Sequence, residues 1–262
     1  MSKVQDTNTG PNRVRLGMVG GGQGAFIGGV HRIAARIDDE YDFCAGALSS
    51  NPQRTLASAR EIGLAEDRSY EDVAAMIAAE SARDDGIEAV SIVTPNNVHF
   101  PVAKACLEAG IHVICDKPIT VTCAEADELI ELAKAQNRIL AVTENSLTLR
   151  VYGTRGGLSW HQESPNELEF SPFGESPLRI SRGSPAASSA AAAVTRISAG
   201  HPEGYLERFA TLYKEIAAAI CAARSGTTTN GMFPRGEYGR KGIAFVEAAV
   251  KSSKGGAVWV NL

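Results

Sequence analysis

Five short, nearly continuous apolar runs, at 14–19, 43–48, 89–93, 111–115 and 139–143, alternate with helical patterns over the first 143 residues. Runs of this length suit strands buried on both faces, and strand–helix alternation points to a parallel sheet with helices packed against it. The helices mark their own ends. Ile27, Val30, Ala34 and Ile37 form one stripe, with Arg32 and Arg36 off it. Asn51 followed by Pro52 reads as an N-cap with proline in the first turn, and Gly63 closes that helix. Ser69 with Asp72 resembles a capping box ahead of a face made by Val73, Met76 and Ile77. Gly110 stops the next helix, and Thr122 with Glu125 opens another whose inner face is Ala126, Leu129, Ile130 and Ala133.

The expected fold class is α/β. A polar, flexible tail at 1–12 leads into a Rossmann doubly wound parallel sheet over 13–143, followed by a reduced α+β C-terminal region over 144–262 that serves substrate binding and oligomerisation. In that region strands are expected at 147–152 and 157–160, with a weaker one at 167–170. The Ala-, Ser-, Gly- and Pro-rich stretch at 181–200 reads as a mobile loop. Phe209, Tyr213, Ile216 and Ile220 mark one amphipathic helix, Ile243, Val246 and Val250 another, and 257–260 a closing strand.

Charge and composition exclude several function classes. The chain of 262 residues has 26 Lys and Arg against 30 Asp and Glu, a net charge of −4, which lacks the basic footprint of a nucleic-acid binder. No apolar run reaches the ~18 residues of a membrane span, and the polar N-terminus does not read as a signal peptide. Cys44, Cys106, Cys115, Cys123 and Cys221 are scattered and form no C-x-x-C pair, so neither a disulfide framework nor a metal site is expected. The chain reads as cytoplasmic, with reduced thiols.

The chemistry-bearing motifs fall where the strands end. Gly20-x-Gly22-x-x-Ala25 joins the first strand to the first helix. Gly20 permits the tight turn, Gly22 lets backbone amides approach a pyrophosphate, and Ala25 keeps the helix close to the sheet so that its positive N-terminus faces the phosphates. After the second strand, where an acidic residue would bond an adenosine ribose, the chain has Ser49, Ser50 and Asn51, with Arg54 one turn on. Hydroxyls and a guanidinium suit a 2′-phosphate and favour NADP over NAD. Equally, Asn51 caps the helix and Arg54 is solvated. Thr94-Pro95-Asn96-Asn97-Val98-His99 follows the third run and Asp116-Lys117-Pro118 the fourth. A lysine at this edge could hold a substrate hydroxyl, and a Lys-Pro bond could adopt the cis form that aims it. Taken singly, such a lysine is more often a surface charge and His99 a helix-face histidine.

With Gly17-Met18-Val19-Gly20-Gly21-Gly22 and the run Ala109 to Pro118, these segments resemble the Gfo/Idh/MocA family, whose members include glucose–fructose oxidoreductases and inositol dehydrogenases. The usual E-K-P stands here as D-K-P. The resemblance implies that Lys117 is the catalytic lysine. It also implies that Thr94, Pro95, Asn96, His99, Asp116 and Pro118 lie around the nicotinamide. It extends, discontinuously, through Arg150 to Gly157, His201 to Tyr205 and Ala244 to Ser253.

It breaks near Thr143 and Glu144, where family members carry on the order of a hundred further residues of substrate domain, close to a small domain's worth. The family's catalytic Asp and His go with that segment, and no aspartate follows Asp127. His161 and His201 remain, and both read as structural.

Two functions follow. The first is an NAD(P)-dependent oxidoreductase moving hydride between a nicotinamide and a sugar, cyclitol or related small polyhydroxy compound. The second is a dinucleotide-binding protein without turnover. Relatives of this kind pair through the open face of a C-terminal sheet, which implies a homo-oligomer.

Overall fold

The computed structural model describes residues 13–143 and 148–262, which pack as two compact units. Residues 13–143 pack with 212–262, and residues 148–211 form the second unit. The contacts thus divide the chain differently from a single cut at residue 143, because the last fifty residues return to the first unit. The expected tail at 1–12 and the Leu147 start of a strand lie outside the described residues.

The first unit is built on five parallel strands: β1 (Val14–Gly20), β2 (Tyr41–Ala47), β3 (Ala89–Val93), β4 (His112–Cys115) and β5 (Leu140–Val142), in the order β2-β1-β3-β4-β5. Every residue of β3, β4 and β5 is buried, which is why their sequences run apolar without alternation. β2 lies at the sheet's margin and is only half-buried in its first half. A single parallel bridge, Gly46 to Ser69, extends the sheet beyond it.

Helices α1 (Phe26–Ile37), α2 (Pro52–Glu61), α3 (Val73–Ser81), α4 (Asn96–Glu108) and α5 (Cys123–Ala135) make the crossovers. The caps follow the sequence with one change. Asn51 accepts from the Arg54 amide, and Thr122 and Glu125 form a full capping box. At α3, however, Asp72 alone is the N-cap, accepting from the Ala75 amide, while Ser69 lies in the backbone bridge to β2 with its hydroxyl unpaired. On α1 the inner face turns away from Ile37, which is exposed, and buries His31 instead.

Burying His31 requires partners. Its Nδ1 lies 2.8 Å from the Tyr213 hydroxyl and 3.1 Å from Ser91 Oγ, and Tyr213 donates to Ser91 at 3.0 Å. Tyr213 belongs to α7 (Tyr205–Arg224), so the triangle ties the returning chain to α1 and β3. Burial lowers His31 to about 4, with Asp116 opposing and Arg32 adding; burial lowers His112 to about 4 as well, helped by Arg138 and Arg224. Both histidines are therefore neutral in the native state and protonate more readily when unfolded. Their contribution is fully present above pH ~6.5 and is lost as pH falls toward 4, up to about 3 kcal/mol for each. Urea midpoints should fall steadily from pH 6.5 to 4.5, and less steeply in His112→Asn; a flat profile would contradict this assignment.

The second unit is an antiparallel meander of β6 (Thr148–Gly153), β7 (Gly156–His161), β8 (Glu167–Pro172) and β9 (Leu178–Ser181), followed by α6 (Ser189–Ala193). The register puts Leu149, Val151, Leu158, Trp160, Leu168 and Phe170 on one face, and Arg150, Ser159, Glu169 and Arg179 on the other. The apolar face is poorly covered: Leu149 is 56% and Val151 50% exposed. Two expectations are corrected here. β9 is a strand the sequence did not announce, and 181–200 is not a bare loop. Ser188 caps α6 through the Ala191 amide, while Arg182 donates to Ile197 O and pairs with the buried Glu203 carboxylate.

The long helix α7 buries Phe209, Tyr213, Ile216 and Ile220 as expected. α8 (Gly236–Lys254) buries Ile243 against α5 but leaves Val246 and Val250 exposed. The strand expected at 257–260 is absent: Ala257 takes a positive φ after the helix end, and Trp259 stands in solvent. Among the described residues no helix is long and apolar enough to cross a membrane, and no cluster of metal-ligating side chains occurs.

Candidate functional site

The chain leaves β1 toward β2 and leaves β3 toward β4, so a crevice opens where the carboxyl ends of the adjacent strands β1 and β3 diverge. Open α/β sheets bind ligands at such switch points. Gly20 and Val93 are direct partners across it. Gly20 has φ +80°, and a Cβ there would fall 2.9 Å from Val93 O, so glycine alone fits the turn.

Three polar bonds hold the glycine turn in shape. The Gly22 amide donates to Leu48 O at 3.1 Å, the Gln23 amide to Ser58 Oγ at 2.9 Å, and Arg32 to Gly21 O at 2.7 Å. Gly22 is thus pressed against the end of β2 and α2: a Cβ would lie 2.7 Å from Leu48 O and 2.6 Å from Ser58 Oγ. Ala25 is the N-cap of α1 and supplies no side-chain cap. The close helix–turn packing comes from Gly28, where a Cβ would sit 2.4 Å from Gly21 Cα. Its signal was present in the sequence, since a glycine inside a helix costs about 1 kcal/mol and implies a packing reason. A first turn with neither side-chain cap nor acidic residue leaves the positive end of α1 facing the crevice, which suits an anion. A cavity of about 400 Å³ opens beside the turn, against Phe26, Arg32 and Ser58.

At the end of β2, both readings of the Ser49 to Arg54 segment meet. Asn51 is the cap, and the Asn51 amide donates to Ser49 Oγ at 3.2 Å. Arg54 crosses to the glycine turn and donates to Gln23 O at 3.1 Å, and Ser50 is exposed beside it.

On the other side of the crevice, Thr94 brings an orphaned group: its hydroxyl is buried with no hydrogen-bond partner, next to Gly20. A buried hydroxyl left unpaired is costly, and the polar atom of a ligand in the crevice would satisfy it. Pro95 is the N-cap of α4, with Asn96 and Asn97 exposed in its first turn. After β4, the Asp116 carboxylate accepts from the Lys117 amide at 3.0 Å and from the Thr143 hydroxyl. Thr143, at the end of β5, was not foreseen as part of the site. The Lys117–Pro118 peptide is cis, and Lys117 is exposed. His99 is buried, with its ring nitrogens on Pro118 O and Thr94 O. The first unit therefore brings together all the residues singled out along the strand ends. His161 and His201 lie in the second unit and are exposed; His161 touches Thr148 and Ser159, and the His201 carbonyl accepts from Arg182.

A dinucleotide fits this donor set: a glycine turn a side chain would fill, an uncapped helix end, and an orphaned hydroxyl at the crevice.

Comparison with known proteins gives the same answer from another direction. Residues 14–144 match the model of an oxidoreductase family with an NAD-binding Rossmann fold, GFO_IDH_MocA. An oxidoreductase from Sinorhizobium meliloti superposes with a TM-score of 0.89 at 36% identity, over 95% of this chain and 99% of that one. An inositol dehydrogenase homolog from Azotobacter vinelandii, complexed with NADH and myo-inositol, gives 0.92 at 26% identity, over 96% and 98%. The uncharacterized oxidoreductase YfiI of Bacillus subtilis is 25% identical over 379 positions, spanning 95% of this chain and 96% of YfiI. That alignment is longer than the chain's own 262 residues, so YfiI carries residues with no counterpart here.

Proposed function

The chain belongs to the Gfo/Idh/MocA oxidoreductase family, and from that premise we propose that it uses a nicotinamide dinucleotide to exchange hydride with a small polyhydroxy compound, a sugar or cyclitol. The observation that carries this is the junction at the β1–β3 crevice of an uncapped helix end with the Asp116–Lys117–Pro118 segment. The myo-inositol bound to the Azotobacter homolog supports the substrate class.

The nicotinamide supplies the hydride acceptor or donor when bound. Gly20, Gly22 and the first turn of α1 hold the pyrophosphate. Thr94, Pro95 and Asn96 flank the nicotinamide half. Lys117 reaches the reacting hydroxyl from the exposed end of β4, donates a hydrogen bond to its oxygen and polarises it, while Asp116 fixes the lysine's backbone through the Lys117 amide.

Cofactor choice rests on Arg54, which already lies on the glycine turn and has guanidinium donors to spare for a 2′-phosphate. A charge-assisted bond of this kind contributes ~1.5–3 kcal/mol, so NADPH should bind roughly ten- to a hundredfold more tightly than NADH. Arg54→Ala should erase the difference. Fluorescence titration checks both, and tighter binding of NADH would overturn the preference.

The YfiI alignment exceeds this chain, and no aspartate follows Asp127, so turnover is the part of this reading that calls for a direct test. Positioned acid–base groups contribute 10²–10⁴-fold. Nicotinamide absorbance with inositols and aldoses is the test. We expect cofactor binding with turnover in the ordinary range of ~1–10³ s⁻¹; cofactor binding without turnover would overturn the oxidoreductase reading.

We propose further that copies of the chain associate through the exposed apolar face of β6–β9, since such a face tends to become an interface. Light scattering should report a dimer or larger.

A further inference from the structure

We infer that His99 is a positioning residue that sets the nicotinamide side of the site without touching the cofactor. The inference rests on the dinucleotide reading above. His99 lies in the first turn of α4 and is 1% exposed. Its Nδ1 is 2.7 Å from Pro118 O and its Nε2 is 2.8 Å from Thr94 O. Both partners are carbonyl oxygens, which only accept, so a hydrogen bond to either one requires the N–H of the ring nitrogen that faces it.

The consequence is geometric. One rigid ring spans the segment after β3 and the segment after β4, and so fixes how far Thr94 stands from Pro118. Lys117 is bonded to Pro118, and Asn96 follows Thr94 by two residues. The spacing between the lysine and the α4 end of the crevice is therefore held by an imidazole buried behind both. From the other side, the Thr143 hydroxyl donates to Asp116, so the Asp116–Lys117–Pro118 turn is fastened to both β5 and α4. With its ring buried and its nitrogens engaged, His99 acts through Thr94 and Pro118.

This placement makes an asymmetric prediction about a ligand that spans the crevice. The pyrophosphate end depends on the glycine turn and α1, which His99 does not touch. The nicotinamide end depends on the two segments it joins. His99→Asn, whose shorter side chain cannot reach both carbonyls, should weaken NADH binding about tenfold while leaving the affinity for ADP-ribose, which lacks the nicotinamide, within about twofold. His99→Gln, longer and able to keep one of the two bonds, should show a smaller loss with the same asymmetry; it also serves if the asparagine variant folds poorly.

The experiment is a calorimetric titration of the wild type and both variants with NADH and with ADP-ribose. A selective loss of NADH affinity supports the inference. Equal losses for the two ligands would show a general structural role and overturn it, as would no loss for either. If the wild type binds neither ligand, the dinucleotide reading itself fails, an outcome distinct from any difference between variants.

Discussion

Gly22→Val should lower NADH affinity by about a hundredfold or more, which corresponds to about 2.7 kcal/mol. The cause is backbone crowding. A Cβ at Gly22 falls 2.7 Å from Leu48 O, the atom that accepts the Gly22 amide, and 2.6 Å from Ser58 Oγ. Ser58 can turn away, but the Leu48 carbonyl belongs to the end of the sheet and cannot. The turn must therefore lift, taking with it the Gln23 amide and the carbonyl of Gly21 that Arg32 holds. Gly242→Ala, on α8 with nothing within 4 Å, is the control and should bind as the wild type does. Equal NADH affinity for Gly22→Val and wild type would show that the dinucleotide does not bind at this turn.

The largest stability effect should come from a residue far from that crevice. Glu80 is 2% exposed and takes two bonds from Arg68, one from the Tyr70 hydroxyl at 2.6 Å and one from the Ile87 amide at 3.1 Å. Arg68 is itself buried, and its guanidinium also donates to Asp85 O. This cluster fastens the 3₁₀ turn Glu66–Arg68 and the end of α3 to the start of β3. Glu80→Ala removes the buried carboxylate from the Arg68 guanidinium and leaves it only the longer 3.5 Å contact to the more exposed Asp85, a loss of about 3–5 kcal/mol. In a chain of this size the melting temperature should fall by roughly 10 °C or more. Asp67→Asn removes a partner of the outward-facing Arg83, a solvent-exposed pair, and should leave the melting temperature essentially unchanged. A fall of under 1 kcal/mol in Glu80→Ala would mean that Arg68 finds another partner or reaches water.

The sequence was most informative where local chemistry and burial point the same way. Strands β3 to β5 are covered on both faces, so their residues are uniformly apolar and their limits legible to within a residue or so. Thr122 and Glu125 form the box their spacing suggested. The misreadings have a common origin in tertiary contacts. His31 is buried because Tyr213, more than a hundred residues away, and Ser91 provide polar partners, and no periodicity could announce that. Ser69 looks like a cap but is used by a bridge to Gly46. The 181–200 stretch has the composition of a loop, yet Glu203 gathers the amides of Arg196 and Ile197, each at 2.7 Å, and Arg182 into one cluster that orders it.

The site shows the same division. Gly20, Gly22, Thr94 and the Asp116–Lys117–Pro118 segment were visible because motif and strand end coincide. Gly28 carried a signal that went unread, a glycine inside a helix, whereas Thr143 was hidden because its role is to meet Asp116 and it has no local pattern of its own. The exposed Val246 and Val250 and the lost strand at 257–260 show the reverse error, in which apolar residues imply a core that the described residues do not supply.

The central claim is that the crevice between β1 and β3 binds a nicotinamide dinucleotide. Its most direct measurement is a calorimetric titration of the chain with NADPH and NADH, repeated in the presence of saturating ADP-ribose. We predict saturable binding of one dinucleotide per chain, displaced by ADP-ribose and lost in Gly22→Val. No binding of either dinucleotide, or binding that ADP-ribose does not displace, would contradict the claim.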